Sequence, residues 1–241
     1  MVVDTLLTPQ SLGIMPDRAN IELVIFDCDG VLVDSELLSA RVLMSMMAET
    51  GLPITTEIFR ADFLGRSFAA ASERVMRRLG RPLPDDFQMR YRARLLEVMR
   101  NNLEPMAGVE EVLREPGLPF CLATSSSPER LATTLRVTRL EKYFEGKCFT
   151  ASQVEKGKPQ PDLFLFAAAA MKTDARKCLV IEDSEMGVRA ALAAGMRCWH
   201  FTGGAHIKAG YRLPAEVVPE RDIGSMTELK QALIVMQAGV F

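Results

Sequence analysis

At 241 residues, with 48% hydrophobic and 25% charged side chains, the chain has an ordinary globular composition and enough length for a substantial core, as one large domain or two unequal ones. A formal net charge of −2 offers no electrostatic footprint for nucleic acid, and no apolar run reaches membrane-spanning length. The five cysteines, Cys28, Cys121, Cys148, Cys178 and Cys198, have no CxxC spacing, which reads as buried free thiols in a reducing compartment and excludes a zinc site or disulfide framework.

Residues 1–18 have no basic flank before an apolar core and no small-residue cleavage pattern, so they are expected to form a loose arm on a cytoplasmic protein. The first structured stretch is ELVIFDCDGVLVD, residues 22–34. Leu23, Val24, Ile25 and Phe26 make a short β-prone run of the kind buried on both faces of a sheet. That strand delivers Asp27 and Asp29 to its carboxyl end, the edge at which open α/β sheets bind ligands.

Residues 36–104 then change character, with helical periodicity and almost nothing strand-like. Leu37, Leu38, Val42, Leu43, Met46 and Met47 share a helix face that Gly51 and Pro53 bring to an end. Further helices are predicted over residues 69–79 and 85–101, with methionines as core filler. From residue 105 strands return. PFCLAT ends in Thr124, Ser125, Ser126 and Ser127, and Pro128 sits where helices favour a first-turn proline. CFTA is a short strand, EKGKPQPD follows it, and Asp162 is expected to cap a helix over residues 163–171. CLVIED repeats the theme of an apolar strand ending in acids, before helix 185–194, strand RCWHF, loop GGAH and a closing helix over 226–236. This alternation predicts an α/β fold with a parallel sheet. The expected division is an arm over 1–18, an α/β core over 19–35 and 105–241, and a helical cap over 36–104.

Four polar groups thus emerge at one sheet edge: Asp27 with Asp29, Thr124 with Ser125, Lys158, and Glu182 with Asp183. Each alone also fits a turn, a helix cap or a solvated charge. Together they fit phosphoryl transfer through a carboxylate. Asp27 and Asp183 supply hard oxygen donors suited to Mg2+. The metal and Lys158 offset the charge of a phosphoryl group, the Thr124 hydroxyl holds it, and a carboxylate can then attack phosphorus. Asp29 is placed to protonate the leaving oxygen and later to take a proton from water.

DCDGVLVDSE, the LATSSS strand end, GKPQPD and VIEDSEMGVRAALAAGM resemble the four ordered motifs of the haloacid dehalogenase superfamily. The helical insertion after the first motif is similar to the branch holding β-phosphoglucomutase and small sugar-phosphate phosphatases. The resemblance implies a Rossmann-like, doubly wound parallel sheet under a mobile helical cap. It implies Asp27 as nucleophile and Asp29 as general acid/base whose main-chain carbonyl also meets the metal. Thr124 and Ser125 then hold the phosphoryl group and Lys158 orders it against Asp27. Asp183 binds Mg2+, with Glu182 a direct or water-mediated ligand.

Asp29 favours phosphoryl over dehalogenase chemistry, since dehalogenase members lack an acid there. The absence of any lysine before Lys142 argues against phosphonatase relatives, which use a cap lysine. Ser39 stands where the mutase carries a histidine that restrains its acid/base, which favours a phosphatase over the mutase alternative. The other alternative, a phosphometabolite-binding protein without turnover, would be expected to have lost one of Asp27, Asp29, Lys158 or Asp183. Arg66, in the LGRS stretch where related caps carry a specificity loop, could grip a carboxylate or second phosphate. WHFTGGAH, the opening motif and the cap length look similar to bacterial 6-phosphogluconate phosphatases. The expected partner is therefore a small phosphorylated metabolite, a sugar or sugar-acid phosphate, acted on by a monomer or weak homodimer. His206 reads as a surface loop histidine near the site rim.

Overall fold

The computed structural model describes residues 20–63, 68–115, 117–207 and 210–238. The arm expected over 1–18, and Arg66, lie outside them. Strand β1 (Leu23–Phe26) is fully buried and forms the centre of the sheet. Its pleat sends alternate side chains to opposite faces. Val24 and Phe26 join one apolar core and Leu23 and Ile25 a second.

The chain then leaves the sheet through helices α1 (Glu36–Glu49), α2 (Thr56–Asp62), α3 (Phe68–Leu79) and α4 (Phe87–Asn102). Val42, Leu43, Met46 and Met47 of α1 are buried as their spacing predicts, while Leu37 and Leu38 are half-buried. Helix α2 was not anticipated. Its seven residues follow Pro53 and have too few turns to establish a period, but the Thr55 side chain caps it by accepting from the Ile58 amide. Met46, Met47 and Met99 are core residues, whereas Met89 is 68% exposed.

The return to the sheet runs through α5 (Val109–Arg114), β2 (Phe120–Thr124), α6 (Pro128–Val137), α7 (Glu141–Phe144), β3 (Cys148–Thr150), α8 (Asp162–Ala170), β4 (Cys178–Glu182), α9 (Glu185–Ala193), β5 (Arg197–Phe201), β6 (Arg221–Ile223) and α10 (Met226–Gln237). The sheet order is β3-β2-β1-β4-β5-β6, and every pairing is parallel. Helices α5, α6 and α10 contribute to the core on one face, α8 and α9 to the core on the other. The parallel α/β sheet with a helical insert is as the sequence predicts.

Three local readings change. Asp162 begins α8 and does not cap it; the N-cap is Pro161. Strand β6 was missed because three residues, two of them charged, carry no hydrophobic period. His206 is 4% exposed rather than a surface residue. Among the described residues, no helix is long and apolar enough to cross a membrane.

Candidate active site

Because β1, β2 and β4 are adjacent and parallel, their carboxyl ends open onto one edge, and the residues beyond those ends meet there. A cavity of about 330 Å³ at this edge is lined by Asp27, Asp29, Thr124, Ser125, Lys158, Glu182 and Asp183. All the sequence-predicted site residues within the described chain therefore come together. Its far wall comes from the insert, with Phe59, Phe63, Tyr91, Arg92, Leu95 and Leu96.

Lys158 lies at the centre of the charged cluster. Its Nζ donates to Asp27 Oδ1 at 2.6 Å, to Glu182 Oε1 at 2.6 Å and to the Ala123 carbonyl at 3.3 Å, and the Phe164 ring lies 4.9 Å below it. Burial would push this ammonium down, but the carboxylates of Asp27 and Glu182 outweigh burial and hold it above its ordinary value. The other oxygen of Glu182 accepts from the Ser184 amide at 2.7 Å and the Ser184 hydroxyl at 3.0 Å. Ser184 in turn caps α9 by accepting from the Gly187 amide. The tight strand-to-helix turn that fixes Glu182 therefore follows from the sequence EDSEMG.

Asp27, Glu182 and Asp183 are all buried, with one oxygen of each within 4.8 Å of the others. One ammonium cannot neutralise three carboxylates. Burial, followed by the neighbouring charges, raises Asp27 and Asp183 well above the usual carboxylate range, with Lys158 offsetting only part. Three hard oxygen donors with surplus negative charge fit a divalent cation. His206 Nε2 lies 2.9 Å from Asp183 Oδ2, and His200 Nε2 faces the Asp183 carbonyl at 3.2 Å while its Nδ1 meets Asp222. Both histidines thus pack onto the acid at the end of β4.

The carboxylate of Asp29 stands outside that group of three acids but lines the same cavity. It accepts from the Ser35 hydroxyl on one oxygen and the Ser126 hydroxyl on the other, each at 2.5 Å. Arg130 Nη2 completes the set at 2.7 Å from Oδ1. Burial would raise this acid, but Arg130, Ser126 and Ser35 hold it below its ordinary value. Any contribution of Asp29 to a metal would therefore come from its main chain. Thr124, buried at the end of β2, accepts from the Ser126 amide at 3.1 Å, and Ser125 is half-buried beside it.

Sequence reasoning missed Arg130. The one available signal was a cation in the first turn of a helix, where the macrodipole disfavours it. It also missed Glu36, half-buried on the cavity wall and pushed up to about 8 by burial and by Asp29. The arrangement offers a buried carboxylate beside a fixed ammonium and a group of acids able to hold a cation, with a second carboxylate two residues on. These are the parts needed to take a phosphoryl group onto an oxygen and then to hydrolyse it.

Residues 21–195 match the family of haloacid dehalogenase-like hydrolases. The chain is 28% identical over 191 residues to 6-phosphogluconate phosphatase of Escherichia coli, covering 79% of this chain and 86% of that one. It is 32% identical over 179 residues to a phosphorylated carbohydrates phosphatase of Thermotoga maritima, covering 73% and 82%. A solved structure of a haloacid dehalogenase-like protein of unknown function from Agrobacterium tumefaciens superposes with a TM-score of 0.76 at 31% identity, covering 90% of this chain and 99% of that one.

Proposed function

The chain belongs to the haloacid dehalogenase-like hydrolases, and we propose that it is a Mg2+-dependent phosphatase of sugar or sugar-acid phosphates that works through an aspartyl-phosphate. The single observation that carries this reading is the shared ammonium of Lys158, 2.6 Å from both Asp27 and Glu182 at one end of a cavity. It leaves Asp27 next to a fixed positive charge, where a phosphoryl dianion can approach a carboxylate.

In the first step an Asp27 oxygen attacks phosphorus and the ester bond breaks with its electron pair going to the departing oxygen. That oxygen takes its proton from the acid form of Asp29, the form left when Asp29 accepts the water proton at the end of the previous turnover. In the second, water attacks phospho-Asp27, Asp29 takes the water proton, and the carboxylate of Asp27 is restored. Thr124 and Ser125 hold the phosphoryl oxygens and Lys158 orders them against Asp27. Asp27, Asp183, the main-chain carbonyl of Asp29, and Glu182 directly or through water would hold Mg2+, whose chemistry is to neutralise phosphoryl charge. Residues 36–104 act as the cap that closes over the substrate. Free, mostly buried thiols support a cytoplasmic location. The relatives named for 6-phosphogluconate and phosphorylated carbohydrates support the substrate class.

The test is phosphate release with Mg2+ across a panel of sugar phosphates, including 6-phosphogluconate and β-glucose 1-phosphate, with Asp27→Asn as the blank. Phosphate released by the wild type and absent with Asp27→Asn is the expected result. Turnover retained in Asp27→Asn would overturn the covalent mechanism. Isomerised sugar phosphate with little free phosphate would mean a mutase.

A further inference from the structure

Arg130 is the third residue of α6, so its backbone is held in the capped first turn. Ser127 is the N-cap and its hydroxyl accepts from the Arg130 amide at 3.3 Å, while Pro128 pre-sets the first turn. The side chain runs back beneath the cavity and is 22% exposed. One nitrogen, Nη2, reaches Asp29 Oδ1 at 2.7 Å, Ser39 Oγ at 3.3 Å and Ser35 Oγ at 3.5 Å. Ser35 precedes α1 and Ser39 lies within it, so the same guanidinium touches the core acid and the start of the insert. Tyr91 of α4 and Ser39 line the same cavity. Polar contacts therefore run from Ser39 of the insert through Arg130 to Asp29.

We propose that Arg130 is a positioning residue that fixes the Asp29 carboxylate for the water-attack step, and that it does so through a contact shared with the first turn of the insert. This rests on the phosphatase reading above. In that step the water oxygen bonds to phosphorus, the bond from phosphorus to Asp27 breaks with its electron pair returning to Asp27, and the water proton passes to Asp29. A carboxylate tethered by Ser35, Ser126 and Arg130 presents its oxygens in one orientation. Without Arg130 it keeps two hydroxyl donors but loses its only charged one among the described residues. Docking of α1 supplies Ser35 and Ser39, so the orientation of Asp29 depends on how the insert is seated.

The experiment separates the two chemical steps with p-nitrophenyl phosphate, whose leaving group departs without a proton, so that kcat/KM reports attack on phosphorus and kcat reports hydrolysis of phospho-Asp27. For Arg130→Met, kcat is expected to fall about 10- to 100-fold, with KM falling alongside it and kcat/KM little changed. A burst of p-nitrophenol equal to the enzyme concentration should appear. Arg130→Lys, which keeps the charge without the fork, should recover part of kcat and shrink the burst. Equal loss of kcat and kcat/KM without a burst in the folded variants would overturn the proposal, as would a rise in kcat. Should Arg130→Met fail to fold, Arg130→Lys carries the same test, a reduced kcat with a burst being the supporting result. Loss of wild-type phosphate release would instead count against the phosphatase reading itself.

Discussion

The backbone at Gly30 lies directly against the carboxylate of Asp183. A Cβ placed on Gly30 would stand 1.9 Å from Asp183 Oδ2 and 2.9 Å from His206 Cε1, and the residue has φ +83°. Gly30→Ala therefore has to displace the acid at the end of β4 as well as strain its own backbone. The expected result is a loss of Mg2+ activation affinity of about tenfold or more, read from activity against Mg2+ concentration. Stability should fall by about 1–3 kcal/mol, read from urea unfolding. An unchanged Mg2+ dependence would mean that Asp183 can shift without affecting the cation site.

Removing the central ammonium isolates two buried acids. Lys158→Met leaves Asp27 and Glu182 without the partner that lies 2.6 Å from each. Breaking a buried pair in this way is expected to cost about 3–5 kcal/mol and to abolish turnover. Adding Glu182→Gln removes one of the stranded charges and should return part of the stability but none of the activity. Urea unfolding of the two variants without metal decides the matter. A single variant as stable as the wild type would show that Lys158 contributes nothing net to the folded state.

The thiols give a prediction independent of the active-site chemistry. Burial pushes Cys121 and Cys178 up to about 12 and raises Cys28 and Cys198 well above the ordinary thiol value. At pH 8 these groups stay protonated in the folded state, and the thiol form does not attack alkylating agents. Burial also raises Cys148, but it is half-buried, and should be the first to react. Peptide mapping after brief iodoacetamide treatment is expected to find the label at Cys148, with the other four labelled only after unfolding. Rapid native labelling of Cys121 or Cys178 would contradict the packing of the sheet.

What was legible in the sequence follows from the kind of signal each residue carries. Strands β1, β2 and β4 are continuous apolar runs whose acids and hydroxyls begin where the run stops, so the run ends alone place Asp27, Thr124 and Asp183 on one edge. Lys158 lies in a loop, but GKPQPD stands between two readable elements. Arg130 and His206 give no such cue. Their roles depend on which loops tertiary packing brings together, since Arg130 meets Asp29 across 101 residues of sequence. The apolar wall of Phe59 and Phe63 was missed with α2 itself, a helix too short to show a period. The contacts of Asp29 with Ser35 and Ser126 also lay beyond sequence reasoning, because a hydroxyl beside a motif reads equally well as a cap.

Among the described residues, the insert contributes one cation to the cavity lining. Arg92 lines the cavity from α4, one turn from Gln88 and adjacent to Tyr91 on the same wall. Lys158 and Arg130, the other cations of that lining, are each held by carboxylates, whereas Arg92 is exposed and, among the described residues, no carboxylate engages it. An anionic group remote from the transferring phosphoryl would meet a guanidinium able to grip it with two donors. Arg92→Ala is therefore expected to raise KM for 6-phosphogluconate by about tenfold, equivalent to about 1.4 kcal/mol of lost binding, with kcat nearly constant, as for an interaction made equally in ground and transition states. Neutral sugar phosphates should be affected far less, and Arg92→Lys should recover only part of the loss. Steady-state kinetics on paired acidic and neutral substrates measure this directly. An equal rise in KM for both classes would show that Arg92 attracts the phosphoryl group in general and does not select for the acid.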